Sequence, residues 1–94
     1  MTTEGRRTVS VRQAIAQGIK QSDLRSIEKL RIRMALAFSS DARLAVEQFV
    51  VDVAAEEAEL AVSEGIDIDQ LEKIIQLIIK YLPQIFEILI PLFS

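Results

Sequence analysis

Residues 67–73 read Asp67-Ile68-Asp69-Gln70-Leu71-Glu72-Lys73, and residues 74–94 continue as IIQLIIKYLPQIFEILIPLFS. Gly65 just before this stretch can take a left-handed conformation at no steric cost and stop a preceding helix. Asp67 stands where an N-cap is expected, with Gln70 placed to complete a capping box. Ile66 and Leu71 are spaced for a hydrophobic staple. These signals predict a helix over 68–93.

Its apolar residues follow two adjoining lines at spacings of three and four. The first is Leu71, Ile75, Ile78, Leu82, Ile85, Leu89 and Leu92; the second is Ile75, Ile79, Leu82, Phe86, Leu89 and Phe93. Asp69, Lys73, Gln76, Lys80, Gln84 and Glu87 keep the same rhythm on one side. At ~100° per residue the polar face covers only about a third of the circumference. An amphipathic surface helix has a narrower apolar arc, so more than one neighbour is expected. Pro83 removes a backbone donor and crowds the Ile79 carbonyl, which bends the helix or starts a new one.

Three coverings suit such a face. Residues 71–93 would rise ~34 Å as a helix, enough to span a bilayer core. Lys80 and Glu87 would then cost ~2.5–3.5 kcal/mol each if central. The segment could also lie in a membrane interface. Burial against protein is the third covering, and self-association its stronger form in so short a chain. On that reading Leu71, Ile75, Ile78, Ile79, Leu82, Ile85, Phe86, Leu89 and Phe93 form an oligomer interface.

The whole chain has 94 residues, enough for one domain with a barely sufficient core. Half of it is hydrophobic but only 5% aromatic, so that core is aliphatic. Neither histidine nor cysteine is present. Disulfides, thiol chemistry, His-dependent triads and zinc sites with nitrogen or sulfur ligands are therefore excluded. The start, MTTEGRRTVS, lacks the apolar run of a signal peptide, and a cytoplasmic or particle-associated location is expected.

Upstream, residues 1–9 read as a polar arm. Ser10 and Gln13 are spaced as a capping box for a helix over 11–20 that carries Val11, Ala14, Ile15, Gly18 and Ile19 on one face. Gly18 lowers helix propensity and predicts a break near 18–22. Ser22 or Asp23 would cap a second helix over 23–38, with Leu24, Ile27, Leu30, Met34 and Phe38 buried. Ser39-Ser40-Asp41 separates it from a third, over 42–63, whose inner side carries Ala42, Val46, Phe49, Val50, Val53, Leu60 and Ala61. Arg31 and Glu57 interrupt the inner sides of the second and third helices and are expected to pair.

The formal charge of residues 1–40 is +5 and that of residues 41–94 is −8. Arg25, Lys29 and Arg33 form a basic stripe, and Asp52, Glu56 and Glu59 an acidic one. The two suggest helices facing each other across an interface. The acidic spacing matches no EF-hand loop, so no metal or other cofactor is expected.

Ala14, Gly18, Ile19, Ser22, Leu24 and Ile27, counted from Ser10, resemble the small residue, turn glycine and apolar contacts of repressor-type helix-turn-helix DNA-binding domains. The resemblance implies nucleic-acid contact through residues 10–33, with Arg25 and Lys29 at the start of a recognition helix. Gln13, Gln17 and Ile15 depart from that pattern.

The chain therefore reads as all-α, a bundle of about four helices: an arm at 1–9, a helical segment at 10–65, and a hydrophobic oligomerisation helix at 66–94. With no nucleophile–base pair or phosphate-cradling glycine loop, it is expected to be a non-catalytic assembly protein, such as a component of a virion or similar particle. A small DNA-binding regulator that dimerises through its C-terminal helix and a membrane-associated protein are the other readings.

Overall fold

A computed structural model describes residues 7–93, the side chains of Leu92 and Phe93 excepted. The elements in order are β1 (Thr8–Val9), α1 (Val11–Gln21), α2 (Ser26–Phe38), α3 (Ser40–Ala58), β2 (Ile66–Asp67), a 3-10 turn (Ile68–Gln70), α4 (Leu71–Lys80) and α5 (Leu82–Phe93). The protein is helical with one two-stranded antiparallel pair, in the register Thr8 to Asp67 and Val9 to Ile66. The Ile68 amide extends that pairing to the Arg7 carbonyl at 3.0 Å. The last residues of the expected arm are thus tied to the chain; residues 1–6 lie outside the described residues.

Local chemistry accounts for the helix starts. The Ser10 hydroxyl accepts from the Gln13 amide, and the Gln13 side chain accepts from the Ser10 amide, both at 3.1 Å, so the capping box forms as read. Ser39 caps α3 by accepting from the Ala42 amide at 3.1 Å. The cap of α2 differs from expectation. Arg25 holds that position, its amide donating to the Glu28 carboxylate at 3.1 Å. Ser22 instead ends α1, its hydroxyl donating to the Ile19 carbonyl at 2.7 Å.

Gly18 makes no break: α1 runs through it to Gln21. The reason lies across the core. A Cβ on Gly18 would stand 2.6 Å from Cγ2 and 3.1 Å from Cβ of Ile78, so the missing side chain is what lets α1 lie against α4. Packing at this position outweighs the intrinsic helix penalty of glycine.

α3 stops at Ala58, short of the expected Ser63. Glu59 adopts a left-handed conformation, φ 56° and ψ 36°, and its amide and that of Leu60 both reach the Ala54 carbonyl. Early termination lets half-buried Leu60 pack on the core and carries the chain to buried Val62 and Ile66. A non-glycine residue in that region is held there at a cost of roughly 1 kcal/mol. Glu59→Gly is accordingly expected to raise stability by about 1 kcal/mol, read as a higher midpoint in urea denaturation with an unchanged slope. An unchanged midpoint would show that the left-handed turn costs nothing here.

The C-terminal third forms two helices, close to the alternative in which Pro83 starts a new one. α4 ends at Lys80, α5 begins at Leu82 with Pro83 in its first turn, and the two are inclined at 61°. Early in a helix a proline's missing donor has no intrahelical partner to lose. Gly65 takes a positive φ of 132°, and Asp67 enters β2 before the chain turns into α4.

Ile19, Ile32, Val46, Ile66, Ile74, Ile78, Ile85 and Leu89 are the largest fully buried side chains. Together they come from all five α-helices and β2 and meet in one cluster, with α1 on α4, and with α2 and α3 on α5. The radius of gyration is 13.4 Å, close to the ~13 Å of a compact domain of this length. The aliphatic core therefore closes within a single chain.

Candidate docking surface

The tail residues expected at an oligomer interface are mostly inside the protomer. Ile75, Ile78, Leu82, Ile85 and Leu89 are buried by the chain's own helices. Leu71, Ile79 and Phe86 are half-buried, and the Phe93 side chain is outside the described set. Two helices inclined to each other can wrap α1, α2 and α3, which a single straight helix cannot. Ile74, fully buried, was missed because neither line of the heptad pattern passes through it.

The outward apolar face belongs to α2. The sequence reading placed Ile27, Leu30, Met34 and Phe38 inside; the fold turns α2 the other way round. Their exposures are 55%, 51%, 48% and 81%. What α2 gives the core is Ile32, with Ala35 and Leu36 partly covered beside it and Leu24, just ahead of the helix, packed there as well. Because α2 has apolar residues on both sides, periodicity alone could not choose between them. Leu44 of α3, 61% exposed, adds to the outward set. Burying what remains of each such side chain is worth ~1 kcal/mol, so an uncovered row of four is a strong incentive to associate.

Arginines border this row. At ~100° per residue Arg33 falls on one flank of the stripe and Arg31 on the other, and both are exposed. The expected basic stripe of Arg25, Lys29 and Arg33 is not one surface feature. Arg25 is the helix cap, and Lys29 is half-buried, its ammonium donating to the Lys20 carbonyl at 2.8 Å. Arg31, expected to meet Glu57, points outward instead. Glu57 is matched by Lys80 at 3.7 Å, where the turn between α4 and α5 passes the end of α3. A hydrogen bond with Glu57, aided by burial and by the charges of Glu57 and Glu56, raises the Tyr81 phenol above its ordinary pKa. The Tyr81 ring packs edge-on against Phe49 at 6.0 Å.

On the Arg33 flank, α1, α2 and α3 enclose a groove with an apolar floor and the side chains of Arg12, Arg33, Arg43 and Glu47 around it. Arg12 stands 3.5 Å from Glu47, and Arg43 donates to the Leu36 carbonyl at 3.2 Å. The Nε of Arg43 and the Oε2 of Glu47 are buried there without a hydrogen-bond partner. Sequence reading singled out none of Arg12, Arg43 and Glu47. The only signal was the spacing of four between Arg43 and Glu47 on one helix.

Of the acidic stripe, Asp52 and Glu56 lie on α3, while Glu59 falls past its end in the left-handed turn. Asp52, Glu56 and Glu59 are all exposed on α3 or at its end, as is Asp41 at its start. Gln48 donates to Asp52 at 2.9 Å along the same side. No family model, curated protein or solved structure matches this chain.

For the other two readings the geometry is specific. A four-residue turn separates α1 from α2, but the outward side of α2 presents Leu30 and Met34, whereas base edges are read chiefly by polar side chains. Among the described residues no single helix is long and apolar enough to cross a membrane. The α4–α5 pair meets that criterion only as a bent unit, and much of its apolar surface is already buried in the core. No group of three or more acidic side chains among the described residues could hold a metal ion.

Proposed function

We propose that this chain is a non-catalytic building block that docks through the outer face of α2 into a larger protein assembly. The observation that carries the reading is the row Ile27, Leu30, Met34 and Phe38, left uncovered on a helix whose other side is already packed. The docking face is α2 rather than the C-terminal helix, because the tail's apolar residues hold the protomer together. The flanking arginines supply orientation more than affinity, since exposed pairs contribute only ~0–1 kcal/mol each.

The test separates docking from folding. Leu30→Asp/Met34→Asp places charges on side chains that are half exposed in the protomer. The melting temperature of the isolated chain is therefore expected to fall by only a few degrees, the cost of about 1 kcal/mol of helix propensity. Sedimentation velocity is expected to show the association of the parent chain abolished. Association that survives the double substitution would refute the reading.

A further inference from the structure

We infer that the surface covering α2 is the acidic outer side of α3 in a second copy of this chain. The inference rests on the reading of α2 as a docking face and names its occupant.

The exposed residues of α2 and its cap include Arg25, Arg31 and Arg33 and no carboxylate; Glu28 is half-buried and holds the Arg25 amide. The exposed residues of α3 include Asp41, Asp52 and Glu56 and no lysine or arginine, with Glu59 continuing the acidic side at its end. Each helix thus presents one sign of charge, and the two signs are opposite.

The outer side of α2 carries bulky Leu30, Met34 and Phe38, while that of α3 carries Leu44, 61% exposed, with Ala45 and Ala55 between its acidic positions. Leu44 offers the α2 row an apolar contact, and the alanines beside it leave room for bulky side chains of a facing helix.

Pairing α2 with α2 of another copy is the obvious alternative, and charge opposes it. Around a two-fold axis the same arginines from both copies would gather beside one apolar seam with no exposed carboxylate on either helix. Like charges brought together at an interface select against that partner. Pairing of unlike faces leaves each copy with one face of each kind, so copies can add in sequence or close into a ring.

The experiment is charge exchange, read by sedimentation velocity on the full chain. Arg31→Glu/Arg33→Glu makes the α2 face acidic, and Asp52→Arg/Glu56→Arg makes the α3 face basic. Each variant alone is expected to be monomeric, with a melting temperature within a few degrees of that of the dissociated parent chain. An equimolar mixture is expected to associate again, because the acidic α3 of the first meets the basic α2 of the second. Association of the parent chain should weaken about tenfold or more between ~50 mM and ~500 mM salt.

A mixture that stays monomeric, or an α3 variant that associates like the parent, overturns the inference. In that case loss of association in Leu30→Asp/Met34→Asp would still uphold α2 as the docking face. A parent chain that is monomeric but floats with phosphatidylglycerol vesicles also overturns it, with lipid as the occupant of the same face. A monomeric parent that ignores such vesicles overturns both the inference and the reading beneath it.

Discussion

Gly18→Val is expected to lower the melting temperature by ~12 °C or more, corresponding to at least ~3 kcal/mol in a domain of this size. The added Cβ would arrive 2.6 Å from Cγ2 and 3.1 Å from Cβ of Ile78, which is only 2% exposed, so α1 or α4 must shift to admit it. Two γ-methyls enlarge the clash, and a β-branched residue recovers less helix propensity than alanine does. Gly18→Ala is the sharper control. Away from contacts it would stabilise a helix by ~1 kcal/mol, so a net loss reports the close approach itself. Combining Gly18→Val with Ile78→Ala should restore part of the loss, with a coupling of at least ~1 kcal/mol in a double-mutant cycle. Additive effects would mean that α1 and α4 do not touch there.

Ile85→Ala is expected to cost ~3–4 kcal/mol, the middle of the range for emptying a fully enclosed aliphatic site. Ile85 has no exposure and lies on α5 in the central cluster with residues of α1, α2, α3 and α4. The informative comparison is Leu30→Ala, which removes a similar volume from a side chain that is 51% exposed. That change is expected to fall within ~0.5 kcal/mol of the parent when measured on the dissociated chain. Urea denaturation at low protein concentration gives both values. If Ile85→Ala left the fold unharmed and broke up the oligomer instead, the tail would be an interface between chains and the assignment of surfaces would be reversed.

Much of the fold could be read from local pattern. The box between Ser10 and Gln13 and the wide apolar side of the last third are short-range signals, and the structure contains both. Pro83 likewise pointed to interruption of the last helix, although only the fold shows that α4 and α5 separate at Tyr81. Glu59 was harder. Nothing in its side chain favours a left-handed turn, and α3 ends there because Leu60, Val62 and Ile66 are drawn into the core.

The candidate surface was legible in composition and illegible in direction. Ile27, Leu30, Met34 and Phe38 were visible as a stripe, and Asp52, Glu56 and Glu59 as another. The stripe on α2 was assigned inward by the ordinary expectation that apolar rows face the core. Ile32, Ala35 and Leu36 make a second apolar side on the same helix, and they are the ones that α3 and α5 accept.

Sequence alone therefore determined the helical class, the aliphatic core, the absence of histidine and cysteine chemistry, and the opposite charges of the two halves. These follow from composition and from periodicities only a few residues long. Tertiary structure decided which side of α2 faces water, why a glycine sits mid-helix at position 18, and that the tail is sheltered by its own chain. Those outcomes depend on contacts between residues distant in sequence, where the shape of one helix selects which face of another it can hold.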